Sequence, residues 1–282
     1  MEEKILFEKY YHEYNAFRLH FNILDSTQLY CKRNMKLFLE SGKLKNDNMI
    51  IVSCDSQTKG IGTRDTKENV DRMWLSEKGN IFTTFVFLWD KKNLEKTSCL
   101  AQTSTVAVSK TLEFYNLKTQ IKWINDVLIN NKKLAGCLVN LHYLDDSSLD
   151  NYVCIMVGIG VNVELIDDKN ILNNNFTSIK KELEEDFNNP SSIPSVEDVM
   201  EKLIENFHLA INQLYNEGFS SLLDYISLRL LYREKKVLID QDNNKIFGYL
   251  KGLANDGSIL LLDDNNQTIN VNNGHLFPYE KN

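Results

Sequence analysis

Three stretches of the sequence carry residues that could do chemistry, and the most informative is a lysine-containing hairpin. The run KWIND at 122–126 is followed after six residues by KLAG at 133–136. The polar NNK between them predicts a tight turn between two short strands, which returns Lys133 to the side of Asn125 and Asp126. An ammonium, an amide and a carboxylate suit a nucleotide with its metal: the carboxylate holds Mg²⁺ and the lysine neutralises an α-phosphate. A hairpin with a surface salt bridge has the same spacing, so that alternative stays open.

A glycine-containing loop is the second stretch. In QTKGIGTR at 57–64, two glycines are separated by one residue and flanked by Lys59 and Arg64. Such a loop could wrap backbone N–H groups around an anion. It matches neither a P-loop nor the dinucleotide fingerprint, because it has no GK[ST] and no third glycine. An ordinary flexible loop is an equally good interpretation of this stretch.

The third stretch is the apolar strand VGIGVNV at 157–163. Its small residues would let a planar group lie against the backbone, and Asn162 could donate and accept hydrogen bonds toward a base edge. A glycine-kinked core strand is the alternative. The five histidines form no metal-binding or catalytic pattern, and neither a GxSxG motif nor a cysteine with a catalytic partner is present.

These residues must be positioned by a mixture of strands and helices. Hydrophobic patterning predicts strands at 17–24, 49–54, 81–89, 121–123, 127–129, 134–141 and 152–163. Helices are predicted at 28–41, 98–115 and 219–232, with a further one that begins after Ser195 in a capping box with Asp198. Between them lie a long polar loop at 55–80 and a polar surface excursion at 167–194.

The character of the chain changes from residue 235 onward. Short strands at 237–240, 246–253, 258–262 and 268–271 are separated by turn residues rich in Asn, Asp and Gly. This pattern predicts a small β-barrel that is stable mainly by docking onto the main body. We therefore expect two domains, 1–234 and 235–282.

Composition excludes several classes of protein. A net charge of −7 and a pI near 5.4 argue against a constitutive nucleic-acid binder. No apolar run approaches the length of a membrane span, and the start resembles neither a signal peptide nor a transit peptide. The five cysteines are scattered without a CxxC pair, which indicates free thiols in a reducing compartment, and we expect a cytoplasmic protein.

Taken in order, the motifs resemble those of biotin protein ligases (holocarboxylase synthetases). KWINDVLINNKKLAG resembles the family's KWPND…K..G signature, and DSTQ at 25–28 resembles its DSTN. Gln57 followed by GIGTR resembles the Q..G[RK]GR loop, and VGIGVNV resembles the IGxGIN strand. The likeness covers 17–162 by motif and reaches the C-terminus by architecture. It implies an α+β fold: a class II synthetase-like mixed sheet with helices, plus a small C-terminal SH3-like β-barrel.

The resemblance also implies a two-step activity. Biotin and MgATP would give biotinoyl-5′-AMP and pyrophosphate, and biotin would then pass to a lysine of a carboxylase's biotin-acceptor domain. Lys133 and Arg64 are the implied catalytic residues. The implied biotin-binding residues are Ser26, Thr27, Gln28, Gln57, Gly60, Ile61, Gly62, Thr63, Trp123, Lys133 and Gly136. The implied ATP and adenylate residues are Arg64, Trp74, Asn125, Asp126, Lys133 and Asn162, with Asp126 as the Mg²⁺ ligand. Trp74 and Trp123 would wall the biotin slot.

Several positions depart from the family pattern. Ile124 replaces the usual proline, Ile61 stands where Arg or Lys is usual, and Thr63 stands where the family's important arginine would be. Arg64, one position later, would supply that charge. Residues 66–71 look inserted before the Arg-Met-Trp that ends the loop, and we expect 58–73 to fold over the adenylate only when it is bound.

The sequence also leads to expectations about binding partners and leaves two alternative functions open. The 25 residues before Ser26 are fewer than a helix-turn-helix domain needs, so we expect no DNA binding, and a homodimer stays open. A lipoate or octanoate protein ligase shares the superfamily's fold and adenylation chemistry, but its substrate needs no partners for a ureido ring. A catalytically dead binding module is the third alternative, and the Thr63 substitution keeps it open.

Overall fold

The computed structural model describes residues 3–65, 70–144, 147–164, 176–185, 192–241 and 244–279, and the side chains of 63–65 and 70–72 are outside that description. Within these ranges the main body contains ten strands: β1 (Ile5–Tyr11), β2 (Ala16–Leu24), β3 (Met49–Gln57), β4 (Ile61–Asp65), β5 (Val70–Met73), β6 (Ile81–Asp90), β7 (Gln120–Lys122), β8 (Asp126–Ile129), β9 (Lys132–Tyr143) and β10 (Tyr152–Val161). Its helices are α1 (Thr27–Glu40), α2 (Leu100–Phe114), α3 (Ile179–Glu185), α4 (Val196–Glu217) and α5 (Ser220–Ser227).

Eight of these strands form one mixed sheet in the order β1-β2-β3-β6-β10-β9-β8-β7. Within this sheet β2 and β3 pair in parallel, and every other pair of neighbouring strands is antiparallel. The central strands β3, β6 and β10 are apolar on both faces because helices cover both: α1 on one side, α2 and α4 on the other. On the side covered by α2 and α4, Phe85 of β6 stacks on Phe207 of α4 with ring centroids 3.9 Å apart. Burial of each such side chain stabilises the fold by roughly 1.5–3 kcal/mol.

Helix ends follow the capping signals of the sequence. Ser26 is the N-cap of α1 and accepts a hydrogen bond from the Gln28 amide. Ser195 caps α4 in a reciprocal capping box with Asp198. These caps satisfy amide groups that a helix start leaves unpaired. The cap at Ser26 also fixes the start of α1 at the end of β2, beside the centre of the sheet.

The C-terminal strands β11 (Lys236–Gln241), β12 (Asn244–Leu253), β13 (Ile259–Leu262), β14 (Thr268–Val271) and β15 (His275–Pro278) form a separate antiparallel sheet in the order β14-β13-β12-β11-β15. The turn before β13 docks it onto the main body. There, the carbonyl of Gly257 accepts from Gln102 Nε2 at 2.9 Å and from Trp123 Nε1 at 3.0 Å. The large mixed sheet and this separate small sheet confirm the predicted α+β class.

Three segments differ from the sequence-based expectations. The helix predicted at 219–232 ends at Ser227, because the next residues pair with β7 instead: Ile121 N donates to Arg229 O at 2.8 Å and Leu231 N to Ile121 O at 2.9 Å. The loop predicted at 55–80 contains the β4–β5 hairpin. Part of the predicted surface excursion is α3, which buries Ile179 and Leu183. No helix within the described ranges is long and apolar enough to span a membrane.

Candidate functional site

The β8–β9 hairpin brings the predicted lysine and carboxylate together. Asn130 and Asn131 have φ of 51° and 62°, so the two-residue turn between the strands is of the mirror-image type that antiparallel hairpins favour. A bulge shifts the register, so that Lys133 faces Leu128 while Asp126 faces Gly136. Bulges re-aim side chains. Here Lys133 Nζ lies 2.6 Å from Asp126 Oδ1, with both side chains about three-quarters buried.

Asn125 is held rigidly at the corner of the same hairpin. Its Nδ2 donates to the carbonyl of Cys137 at 2.7 Å, and the Cys137 amide donates back to the Asn125 carbonyl at 2.9 Å. Burial raises the pKa of the Cys137 thiol well above its usual value, so that the thiol stays neutral. The Cys137 thiol beside Asn125 therefore adds no charge to the neighbouring Lys133–Asp126 pair.

An inner slot opens above the middle of the sheet, next to this hairpin, with a volume of about 500 Å³ when its open mouth is included. Ten residues predicted for the site line it: Ser26, Thr27, Gln28, Gln57, Ile61, Gly62, Trp74, Asn125, Lys133 and Gly136. Its remaining lining is Phe82, Thr83, Cys137, Leu138, Gly158, Ile159 and Gly160. The slot is thus walled by apolar side chains and backbone, with polar groups concentrated at the start of α1, an arrangement typical of small-molecule sites.

The polar end of the slot is a preformed hydrogen-bond network. Gln57 Oε1 accepts from the Thr27 amide at 2.8 Å, and Gln57 Nε2 donates to Ser76 Oγ at 2.8 Å. Thr84 Oγ1 lies 2.9 Å from both Thr27 Oγ1 and Gln28 Oε1. Because these side chains hold each other, the groups that face the slot are fixed before any ligand arrives.

Trp74 closes one side of the slot. A Cβ on Gly160 would lie 2.6 Å from Trp74 Cε2, so this glycine is needed for the indole to lie against the sheet. A Cβ on Gly136 would lie 3.1 Å from Trp74 Cζ3, which is a tight contact. Lys133 Nζ is 5.0 Å from the ring centroid, which is cation–π distance. The indole nitrogen is buried without a hydrogen-bond partner within the described part of the chain. In this structure the planar group that lies against the glycine strand is the indole of Trp74.

An outer cleft of about 2400 Å³, including its open mouth, continues from the inner slot toward the C-terminal sheet. Both compartments are lined by Gly62, Trp74, Asn125 and Lys133. The outer cleft adds Lys122, Asp126, Asn162, Glu164, Thr177, Ser178, His275 and Phe277, among others. An acid bound in the inner slot and a phosphate bound in the outer cleft would meet at the Lys133 ammonium.

Two predicted residues lie elsewhere than expected. Trp123 does not wall the inner slot. It is 3% exposed, and its indole nitrogen donates to the carbonyl of Gly257, because the turn before β13 docks where the indole points. Gly60 is also absent from the slot lining. Gly60 is buried under Trp74, and a Cβ on Gly60 would lie 2.3 Å from the Trp74 carbonyl oxygen. The Gly60 carbonyl accepts a hydrogen bond from the Trp74 amide at 2.9 Å.

The remaining predicted residues lie on β4 or in the outer cleft. Thr63 and Arg64 lie on β4, with side chains outside the described part of the molecule. Asn162 lines the outer cleft, and its Nδ2 donates to the Thr177 carbonyl at 3.1 Å. The described residues contain no group of three or more His, Cys, Asp or Glu side chains that could hold a metal, so Mg²⁺ at Asp126 stays a prediction.

Sequence reasoning missed several lining residues. Leu138 follows Gly136 by two positions on one strand, so alternation could have found it. Phe82 and Thr83 are the cross-strand partners of Gly160 and Ile159. Their place depends on the register between β6 and β10, and no local signal in either strand reveals that register.

Comparisons with known proteins agree with this geometry. Residues 21–162, half of the chain, match the Biotin/lipoate A/B protein ligase family. The bifunctional ligase/repressor BirA of Bacillus subtilis is 34% identical over 125 residues, which are 43% of this chain and 35% of that protein. Biotin–protein ligase 2 of Arabidopsis thaliana is 23% identical over 239 residues, 80% of this chain and 66% of that protein. The chain thus spans about one third to two thirds of these relatives.

Solved structures extend the likeness over almost the whole fold. The biotin protein ligase of Aquifex aeolicus in complex with biotin and ATP superposes with a TM-score of 0.68 at 22% identity, covering 94% of this chain and 99% of that one. Its apo form gives a TM-score of 0.67. These matches confirm the fold and the predicted resemblance. The chain therefore belongs to the Biotin/lipoate A/B protein ligase family, and biotin protein ligases are among the members that it matches in both sequence and fold.

Proposed function

We propose that the protein is an ATP-dependent biotin protein ligase. In the first step a biotin carboxylate oxygen attacks the α-phosphorus of ATP, a new P–O bond forms, and pyrophosphate leaves. In the second step the amine of an acceptor lysine attacks the acyl carbon, an amide forms, and AMP leaves with the electrons of the broken C–O bond. The proposed acceptor is the lysine-bearing biotin domain of a carboxylase.

The observation that carries this proposal is the junction of the two compartments at Lys133. A polar-ended slot and a larger cleft share one ammonium ion, which is the arrangement that joining an acid to a nucleotide requires. Charge builds up on the α-phosphate oxygens during the first step, and a preorganised cation in a partly desolvated site stabilises that charge. The Aquifex relative, with its bound biotin and ATP, supports the same substrates here.

Asp126 would act on both Lys133 and the bound nucleotide. Its carboxylate orients Lys133 through the 2.6 Å ion pair, and it lines the outer cleft where the phosphates would lie. Mg²⁺ is commonly held by one or two carboxylates together with substrate phosphates. A single carboxylate therefore fits a metal ion that arrives with ATP as part of the substrate.

The polar end of the inner slot favours biotin over lipoate. A ureido ring needs both donors and acceptors, and Ser26, Thr27 and Gln57 supply hydroxyl and amide groups at that end. Lipoate and octanoate have no ureido group, so they would form none of the additional hydrogen bonds that a ureido ring can form with this end of the slot.

The test is pyrophosphate release with biotin, lipoate and octanoate supplied in parallel, each with MgATP. We expect release with biotin at least 10²-fold faster than with the other two acids, on the scale of discrimination that buried polar groups give. Release with lipoate or octanoate instead would identify a ligase for those acids. No release with any of the three, in a protein that still binds biotin by calorimetry, would identify a binding module.

A further inference from the structure

Helix α3 presents a buried carboxylate to the hairpin that carries Lys133. Glu182 is 7% exposed. Its Oε1 accepts from Thr177 Oγ1 at 2.5 Å, and its Oε2 accepts from Asn130 Nδ2 at 2.8 Å. No ion pair to Glu182 is found among the described residues, so these two hydrogen bonds are what offsets the burial of its charge. A carboxylate kept in such a place calls for an explanation.

Both partners of Glu182 hold the backbone around Lys133. Asn130 is the first residue of the β8–β9 turn, three positions before the lysine. Thr177 donates its amide to the Lys133 carbonyl at 3.0 Å, and Phe176 forms a parallel bridge with Lys133. The carboxylate therefore ties the turn on one side of Lys133 to the segment that grips the Lys133 backbone on the other.

We propose that Glu182 is a positioning residue for Lys133, an inference that rests on the function proposed above. It does not touch the substrates. It fixes the bulged strand from which the lysine side chain reaches Asp126 and the junction of the two compartments. Without this tie, the hairpin tip keeps its own backbone pairing and, within the described part of the chain, one further hydrogen bond, from the Asn131 amide to Gln120 Oε1 at 2.8 Å. The ammonium would then spread over several positions instead of one.

A carboxylate is the side chain that this arrangement needs. The Thr177 hydroxyl and the Asn130 amide both act as donors here, and an ionised carboxylate offers two acceptor oxygens and no donor. Glutamine has nearly the same shape but offers one oxygen and one NH₂ group. Glu182→Gln therefore weakens one of the two ties while it leaves the packing of α3 in place.

The test is a double-mutant cycle between Glu182→Gln and Lys133→Ala, read by the rate of biotin-dependent pyrophosphate exchange. We expect Glu182→Gln alone to lower the exchange rate about tenfold, the scale on which a supporting residue affects a site, with unchanged affinity for biotin. In the Lys133→Ala background the same change should have no further effect, because the group that it positions is gone. Glu184→Ala, an exposed glutamate on the same helix, is the matched control and should leave exchange unchanged.

Thr177→Val provides a second route if Glu182→Gln folds poorly. It removes one hydroxyl at nearly constant shape and should show a smaller loss, of about threefold, with the same absence of effect in the Lys133→Ala background. Equal losses from Glu182→Gln in both backgrounds, or full activity of Glu182→Gln, would overturn the positioning role. Absence of biotin-dependent exchange in the unmodified protein would instead remove the proposed function.

Discussion

Replacement of Lys133 by alanine is the most direct perturbation of the proposed chemistry. The ammonium is the charged group shared by the inner slot and the outer cleft, and Asp126 holds it at 2.6 Å. Removing one preorganised donor from such a site costs about 10²–10³ in rate, or roughly 3–4 kcal/mol of transition-state stabilisation. We therefore expect Lys133→Ala to slow adenylation by at least about 10²-fold.

The effect on stability should be small by comparison. The ion pair is partly exposed, at 26% for the lysine and 22% for the aspartate, so its loss should cost about 1 kcal/mol of unfolding free energy or less. Lys133→Met separates charge from packing, because the methionine chain can still lie against the Trp74 ring. We expect Lys133→Met to be as slow as Lys133→Ala and closer in stability to the unmodified protein.

The assay is single-turnover formation of pyrophosphate at saturating biotin and ATP, with biotin affinity from calorimetry and stability from thermal unfolding. Lys132→Ala is the matched control, because the Lys132 side chain precedes Lys133 on the same strand and points to the opposite face of the sheet. A rate for Lys133→Ala within a few-fold of the unmodified protein would refute the role of Lys133 in adenylation. A large loss of stability without loss of rate per folded molecule would assign the lysine to the fold instead.

Three further predictions concern other parts of the site. Asp126→Asn should raise the KM for MgATP about tenfold or more and leave biotin affinity nearly unchanged, since an amide is a poor Mg²⁺ ligand. Gly160→Ala should displace the Trp74 indole, whose Cε2 would lie 2.6 Å from the new Cβ, and so weaken biotin binding about tenfold and change tryptophan fluorescence. Arg64→Ala should release the adenylate faster, measured as a dissociation rate and as stray biotinylation of added lysine-rich protein.

Each of these has an outcome that contradicts it. Loss of biotin affinity in Asp126→Asn would mean that this carboxylate acts in the inner slot and not in the outer cleft. Gly252→Ala, at a glycine with nothing within 4 Å of the new Cβ, should be silent, and an equal effect there would discredit the steric argument for Gly160. An unchanged dissociation rate in Arg64→Ala would mean that the arginine does not replace the one missing at Thr63.

Local signals in the sequence were enough to predict most of the framework of the site. The turn at Asn130 and Asn131 has a local cause, since asparagine tolerates positive φ, and the β8–β9 hairpin follows from it. Ser26 caps α1 for an equally local reason. Trp123 was misplaced because its neighbours come from the C-terminal sheet, more than a hundred residues away in the chain. Glu182 was missed because a glutamate on a short polar helix has the pattern of a solvated residue until its partners are known.

The departure at Thr63 has a physical explanation in the register of the β4–β5 hairpin. Ile61 pairs with Met73 and Arg64 with Asp71, so three steps along β4 match two steps along β5. In a regular pairing the partner of Asp71 would be Thr63. The one-residue bulge therefore brings the backbone of Arg64, rather than that of Thr63, opposite Asp71. A shift of the arginine by one residue in sequence thus coincides with a shift of one residue in pairing, which is why Arg64, and not Thr63, is the residue to test for retention of the adenylate.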